Sequence, residues 1–124
     1  MMEASPLILV VDDDAFMREI TRVHLEGVGY QVALATSAAD GVQKARELRP
    51  SAVVMDFAMP GGSGVEALRT LRTDDDVGHI PILMVTAWSL EECQSGTKGL
   101  SATWLQKPVM GEDLIASVRA LLPA

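Results

Sequence analysis

Short apolar runs alternate with amphipathic segments along the chain. Three continuous runs, at Leu7–Val11, 52–55 and 82–85, contain many β-branched residues and are too short for stable helices. Continuous apolar character is typical of strands covered on both faces of a parallel sheet. At 30–35 the large apolar residues alternate with smaller or polar ones, which predicts an edge strand. A shorter run at 102–105 predicts a fifth strand.

Amphipathic segments lie between the predicted strands. Residues 15–26 place Phe16, Ile20 and Val23 on one face, at spacings of four and three, and predict a first helix packed by that face. Serine residues that can cap a helix N-terminus open the next three helical segments. The four further predicted helices cover 37–48, start at Ser63, start at Ser89 and cover about 111–122.

The strand–helix alternation repeats five times. It predicts an α/β fold, a doubly wound five-stranded parallel sheet with helices on both faces and right-handed crossovers. With the second strand at an edge, the strand order 2-1-3-4-5 is favoured. In such sheets a functional site lies beyond the carboxyl ends of the strands, between the first and third. No repeat or linker divides the 124 residues, so one domain over 1–124 is predicted.

Charge and cysteine content exclude several classes of function. Ten basic residues against 17 acidic ones give a net charge of −7, so the basic face needed for direct nucleic-acid binding is not expected. The single Cys93 excludes an intramolecular disulfide and a cysteine-rich zinc site; we interpret it as a small buried or helix-surface residue. No apolar run approaches about 20 residues and no signal peptide is recognised, so a cytoplasmic protein without membrane contact is predicted.

Polar side chains follow four of the five predicted strands. Asp12 and Asp13 follow the first strand, Asp56 the third, Thr86 the fourth and Lys107 the fifth. Because the carboxyl ends of parallel strands meet at one edge of the sheet, we expect these groups to converge there.

Converging carboxylates repel one another unless a cation neutralises them, and hard oxygen ligands without His or Cys favour Mg²⁺ over zinc. An acid cluster with a cation, the amine of Lys107 and the hydroxyl of Thr86 predicts a phosphoryl-transfer site. A carboxylate can itself be the nucleophile. Asp56 stands alone after its strand and is the candidate, which leaves Asp12 and Asp13 as metal-holding groups.

With these residues in place, the chain resembles the receiver domain of two-component response regulators. The matching segments are VVDD at 10–13, DFAMP at 56–60 with Gly64, TA at 86–87 and KP at 107–108. The resemblance covers essentially the whole chain, and four motifs in register are far more specific than any one. It implies a flavodoxin-like (βα)5 fold and a phosphorylation-controlled signalling module. Such a module accepts a phosphoryl group from a histidine kinase or phosphotransfer protein.

The resemblance also implies roles for individual residues. Asp56 would be the phosphoacceptor, and Asp13 and Asp56 would be carboxylate ligands of Mg²⁺. Asp12 would act on the ion largely through water, and the backbone carbonyl of Ala58 would be a third protein ligand. The family is not an enzyme family acting on outside substrates, so only self-phosphorylation and slow dephosphorylation are expected.

Three further positions carry the expected response to phosphorylation. Thr86 and Lys107 resemble the groups that hold the phosphoryl oxygens. Trp104 stands where the family usually has a Tyr or Phe that swings inward on activation, so Thr86 and Trp104 form the expected switch. A downstream protein would bind the region from Leu90 to Leu122, which contains the fourth predicted helix, the fifth strand and the last helix.

Departures from the family pattern leave alternatives open. Ala58 and Trp88 are uncharged where the family tunes hydrolysis of the phosphoryl group, so we expect a long-lived phosphorylated form. The same Ala58 disfavours a phosphatase, which commonly has a second acid there, and three successive aspartates after the first strand disfavour a nucleotide or flavin binder. The unusual Trp104 keeps one alternative: a degenerate receiver that binds proteins without phosphorylation.

Overall fold

The computed structural model of the chain describes residues 5–57, 64–87, 89–91, 93, 97, 99–109 and 111–123. Within these residues the chain alternates between strands and helices in the predicted order. The elements are β1 (Leu7–Val11), α1 (Ala15–Gly27), β2 (Gln31–Ala35), α2 (Ala38–Leu48), β3 (Ala52–Asp56), α3 (Gly64–Arg72), β4 (Ile82–Thr86), β5 (Thr103–Gln106) and α4 (Gly111–Leu121).

The five strands form one parallel sheet in the order β2-β1-β3-β4-β5. The doubly wound fold and its strand order are therefore confirmed. The strands β3 and β4 are buried along their whole length, as their uninterrupted apolar sequences predict. The edge strand β2 is only partly covered and begins with the exposed Gln31.

The helices cover both faces of the sheet. On the α1/α4 face, Leu25 of α1 and Leu114 of α4 pack on apolar residues of the strands. On the α2/α3 face, Ala45 of α2 and Leu68 of α3 do the same, and the buried Cys93 joins this cluster. Each strand therefore contributes alternate side chains to two separate apolar cores, one on each side of the sheet.

The helix ends follow the capping residues in the sequence. The carboxylate of Asp14 accepts hydrogen bonds from the backbone N–H groups of Phe16 and Met17 and caps α1. The hydroxyl of Ser37 accepts one from the N–H of Asp40 and caps α2. Arg49 ends α2 in the left-handed conformation, with a φ of 48°, directly before a proline.

The predicted packing face of the first helix is wrong. Phe16 and Val23 are 71% and 56% exposed, and Leu25 is the residue that is fully buried. At 3.6 residues per turn, Phe16 and Val23 lie on the side of the helix opposite Leu25. Leu25 therefore faces the core, and Phe16 and Val23 line a shallow groove on the outer side of the helix.

The described residues cover the predicted helices that start at Ser63 and Ser89 only in part. Leu90, Glu91 and Cys93 are helical, whereas the rest of the helix predicted from Ser89 lies largely outside the described residues. The proposed capping residue Ser63 also lies outside them, and α3 is described from Gly64. None of the described helices has the length and apolar character needed to cross a bilayer.

Candidate functional site

The carboxyl ends of the strands carry the polar side chains that the sequence analysis singled out. Asp56 is the last residue of β3 and Thr86 the last of β4, while Asp12 directly follows β1 and Lys107 directly follows β5. Asp56 pairs with Val85, the neighbour of Thr86, in the β3–β4 register. Parallel pairing therefore brings these side chains to a single edge of the sheet.

Three carboxylates meet at this edge. Oxygen atoms of Asp12, Asp13 and Asp56 lie within 4.8 Å of one another. Asp12 and Asp56 are buried, whereas Asp13 is exposed. The backbone N–H of Asp14 donates to the Asp12 carboxylate at 2.9 Å and helps to orient it. The predicted cluster of acids is therefore present, with Asp14 acting only as a helix cap beside it.

The close approach of the acids affects their ionisation. Burial raises the pKa of Asp56 above its usual range, and the Asp13 carboxylate adds to this rise, although Lys107 opposes it. Burial also raises the pKa of Asp12, with a further contribution from the charge on Asp56. Removing these carboxylates from water is unfavourable while they are charged.

The three carboxylates fit a small hard cation. They supply only oxygen donors, from two buried acids and one exposed acid. Mg²⁺ usually binds through one or two such carboxylates and keeps several waters. Positive charge at this point would offset the repulsion that raises their pKa values. The expected contribution of the Ala58 carbonyl lies outside the described residues.

Lys107 supplies the positive charge of the site. Its Nζ lies 3.2 Å from Oδ1 of Asp56 and donates a hydrogen bond to it. Its backbone N–H donates to the carbonyl of Thr86 at 2.6 Å, which fixes the end of β5 against the end of β4. The peptide bond between Lys107 and Pro108 is cis. The amine and the candidate nucleophile are thus neighbours.

A small depression lies beside the cluster. It has a volume of about 40 Å³, lies between α1 and α4, and has Asp12, Asp56 and Lys107 among its lining residues. Most of its lining is apolar, and Ile20 and Leu114 are among the apolar residues. Asp56 is only 8% exposed and is one of the residues that line this space.

The two expected switch residues lie on the α2/α3 face. Thr86 is 1% exposed, and its hydroxyl lies 3.3 Å from the Sγ of Cys93. The ring of Trp104 is half-buried and packs on Phe57, with 5.6 Å between ring centroids and 55° between their planes. Trp104 is thus in contact with the residue that directly follows Asp56.

Two contacts of the site were not predicted from the sequence. The guanidinium of Arg18 donates to the backbone carbonyl of Asp12 at 2.8 Å and fastens the loop after β1 to α1. Cys93 contacts Thr86, although no functional role was predicted for this cysteine. Neither contact has a sequence signal, because the first depends on the rotation of α1 and the second on how a distant segment packs.

Similar proteins point to a single family. Residues 8–119 match the family described as the response regulator receiver domain. The response regulator MprA of Mycobacterium sp. (strain KMS) is 41% identical over 116 residues, which are 93% of this chain and 50% of that protein. The DNA-binding response regulator MtrA of Mycobacterium leprae (strain TN) is 36% identical with the same coverage. The chain spans about half the length of these curated relatives.

Solved structures have the same fold. The chemotaxis protein CheY4 of Vibrio cholerae superimposes with a TM-score of 0.89 at 30% identity, covering 96% of this chain and 100% of that one. The receiver domain of the Francisella response regulator 1452 superimposes with a TM-score of 0.84 at 26% identity, covering 94% and 96%. The match across residues 8–119, together with the acid cluster at the sheet edge, shows that the chain belongs to the response regulator receiver domain family, whose members are phosphorylation-controlled signalling modules.

Proposed function

We propose that this chain accepts a phosphoryl group on Asp56 from a histidine kinase or a histidine phosphotransfer protein, in the presence of Mg²⁺. The observation that carries this proposal is the position of Asp56: a buried carboxylate at the end of β3, within 4.8 Å of Asp12 and Asp13 and 3.2 Å from the amine of Lys107. An ordinary surface aspartate has neither the acid neighbours nor the paired lysine.

Each residue of the site has a separate role in the proposed phosphoryl transfer. A carboxylate oxygen of Asp56 forms the new O–P bond while the N–P bond of the phosphohistidine breaks, and the imidazole leaves with the electron pair and takes up a proton. Lys107 offsets negative charge on the carboxylate and the arriving oxygens. Asp12 and Asp13, together with Asp56, would hold Mg²⁺. Bound there, the ion would supply positive charge to the phosphoryl oxygens.

Intact mass spectrometry after incubation with acetyl phosphate and Mg²⁺ tests the proposal. We expect the wild-type chain to gain one phosphoryl group and Asp56→Asn to gain none. Asp75→Asn, which changes an exposed acid in the loop after α3, is the matched control and should gain one as the wild type does. A folded wild-type chain that gains no mass would contradict the proposal and favour the degenerate receiver, which binds proteins without phosphorylation.

We further propose that the chain catalyses only its own phosphorylation and a slow dephosphorylation. This rests on the uncharged side chains of Ala58 and Trp88, both of which lie outside the described residues. With no charged group to position a hydrolytic water, the phosphoryl group should persist. A half-life of only seconds for the purified phosphoprotein with Mg²⁺ would count against this proposal.

The exposed face of α1 is the surface we assign to the phosphodonor protein. The groove lined by Phe16 and the depression lined by Asp56 share Ile20 and His24, so a protein that approaches Asp56 beside α1 can contact Phe16. Phe16 and Val23 are exposed and line an apolar groove. Apolar aromatic side chains of this kind commonly anchor protein contacts.

For the downstream partner we propose the region from Leu90 to Leu122. The strand β5 is an edge of the sheet, with Thr103 and Gln106 exposed, so its outer side is open to a protein. Partner binding there would depend on phosphorylation of Asp56. The net charge of −7 supports the accompanying proposal that this chain does not itself bind nucleic acid. We also propose that its 124 residues form one domain and, from its single cysteine, that it acts in the reducing cytoplasm.

A further inference from the structure

A buried polar contact joins the end of β4 to the segment that follows it. The Oγ1 of Thr86 lies 3.3 Å from the Sγ of Cys93, and both residues are 1% exposed. The hydroxyl of Thr97 donates to the backbone carbonyl of Cys93 at 3.0 Å and is also buried. Cys93 is therefore held at three points: its side chain contacts Thr86, its carbonyl accepts from Thr97, and its N–H donates to the carbonyl of Ser89 at 3.2 Å.

The sheet geometry explains why the hydroxyl of Thr86 meets Cys93. Side chains alternate between the two faces along a strand. Met84 packs on the α2/α3 face and Val85 on the opposite one, so Thr86 belongs to the α2/α3 face, where Cys93 is also buried. The backbone of Thr86 is fixed by the 2.6 Å hydrogen bond from Lys107, which leaves the side chain as the part that can exchange partners.

Hydrogen-bonding capacity makes this contact relevant to phosphorylation. Either atom can be the donor in this contact; where the hydroxyl donates, its single proton goes to a thiol, which is a weak acceptor compared with a charged phosphoryl oxygen. A phosphoryl group at the end of β3 would therefore compete with the thiol for the hydroxyl of Thr86. The hydroxyl should bind the phosphoryl oxygen, because that hydrogen bond is stronger. Breaking the contact with the thiol nevertheless reduces the free energy gained by the exchange.

We propose, as an inference that rests on the proposed function, that Cys93 is a positioning residue for the switch. Its Sγ holds the hydroxyl of Thr86 in the resting orientation, and arrival of a phosphoryl group on Asp56 releases it. The exchange also removes the hydrogen bond of the Cys93 side chain, while the two hydrogen bonds of its backbone remain, so it transmits the event to the segment after β4.

Calorimetric titration of the full chain with beryllium fluoride in the presence of Mg²⁺ tests this inference, since the compound mimics a carboxylate-bound phosphoryl group. Cys93→Ala and Cys93→Val remove the sulfur partner, and we expect both to bind about two- to fivefold more tightly than the wild type, the change that loss of one competing neutral hydrogen bond produces. Cys93→Ser keeps a hydroxyl partner and should show no gain in affinity.

Two further variants separate positioning from general loosening of the fold. Val77→Ala truncates a buried residue of the same apolar cluster in the loop after α3 and should leave the affinity unchanged. In a Thr86→Val background, adding Cys93→Val should no longer increase the affinity, because the hydroxyl that Cys93 restrains is gone.

The possible outcomes are distinct. Wild-type affinity in both Cys93→Ala and Cys93→Val, an equal gain in Cys93→Ser or Val77→Ala, or a gain that persists without the Thr86 hydroxyl would each overturn the inference while the proposed function stands. A folded wild-type chain that does not bind beryllium fluoride would overturn the proposed function and this inference with it.

Discussion

The buried carboxylate of Asp12 belongs to the proposed cation site but lowers the stability of the folded chain. Its carboxylate is buried beside Asp56, and the burial raises its pKa because the charged form loses contact with water. An apolar or neutral side chain at this position would not carry that penalty. A neutral core residue would, however, remove one of the charges that the site offers to a cation. The site is thus an acidic cluster that the fold tolerates.

The pH dependence of stability follows from this raised pKa. Between its ordinary value near 3.8 and the raised value, the folded state binds more protons at Asp12 than the unfolded state, so stability falls as the pH rises through this window. In the absence of divalent ions, we expect Asp12→Asn to increase the free energy of unfolding at about pH 7 by roughly 0.5–1 kcal/mol, a usual size for one substitution.

Urea denaturation of both proteins at about pH 7 and about pH 3.5 measures the effect. The asparagine can still accept the N–H of Asp14, so the helix cap region is preserved. At the acidic pH the difference between the two proteins should be much smaller, since most of the aspartate is then protonated in both states. An asparagine variant that is less stable at neutral pH would contradict the expected sign.

At the scale of elements, the N-terminus of α3 approaches the end of β3 unusually closely. A Cβ atom at Gly64 would lie 2.6 Å from the carbonyl oxygen of Asp56 and 2.8 Å from that of Phe57. The N–H of Gly64 also donates to the Phe57 carbonyl at 2.8 Å. Because Gly64 has no side chain, α3 can pack directly against the strand that carries the proposed phosphoacceptor.

Gly64→Ala should therefore lower the free energy of unfolding by about 1–3 kcal/mol, the usual cost of inserting atoms where backbone already fills the space. Gly27→Ala is the matched control, since a Cβ at Gly27 meets nothing within 4 Å. In a helix that change should be neutral or stabilising by up to about 1 kcal/mol. Equal effects of the two substitutions in denaturation experiments would argue against close packing at Gly64.

The outward face of α1 allows a test that separates partner docking from chemistry. Phe16→Ala should slow phosphotransfer from a protein donor about tenfold, since loss of an interface anchor commonly costs 1–2 kcal/mol, and leave phosphorylation by acetyl phosphate unchanged. The donor would be the autophosphorylated histidine kinase, from a panel, that transfers fastest to the wild-type chain.

Leu48→Ala is the control for the α1 experiment, because Leu48 is an exposed apolar residue at the end of α2. It should not affect transfer from the kinase. If Phe16→Ala slowed the reaction with acetyl phosphate as much as the reaction with the kinase, the side chain would act on the site itself and the docking surface would have to be sought elsewhere.

For the molecule as a whole, the fold was predictable because its main signals are local. Continuous apolar runs identify β3 and β4 as covered strands, and the alternation in β2 identifies an edge. Once the strand order is known, the convergence of Asp12, Asp56 and Lys107 follows from parallel pairing alone. The predicted cluster therefore required no knowledge of the side-chain packing.

Features that depend on packing between helices and strands could not be predicted from the sequence alone. The hydrophobic periodicity of α1 is compatible with either side facing the sheet, and only burial of Leu25 decides that Phe16 and Val23 point outwards. The contact between Thr86 and Cys93 depends on where the segment after β4 packs on the sheet. Such contacts arise only when all layers are assembled.

Cation binding should stabilise the whole molecule. The chain carries a net charge of −7, and three of its carboxylates converge at one edge of the sheet. An ion that binds only the folded state adds RT ln(1 + [L]/Kd) to the free energy of unfolding, which is about 1.4 kcal/mol at ten times the dissociation constant. We therefore expect Mg²⁺ to raise the midpoint of thermal unfolding in a saturable manner, and Asp13→Asn to lose most of this increase.

The same experiment with NaCl at matched ionic strength separates specific binding from screening of the acidic surface. Screening acts on all exposed charges and should be equal in wild type and Asp13→Asn, whereas binding at the cluster requires the carboxylate of Asp13. Asp75→Asn provides the charge-matched control, since it removes one exposed acid away from the sheet edge. An increase with Mg²⁺ that is no larger than that with NaCl, or that is retained in Asp13→Asn, would show that the converging acids do not form a cation site.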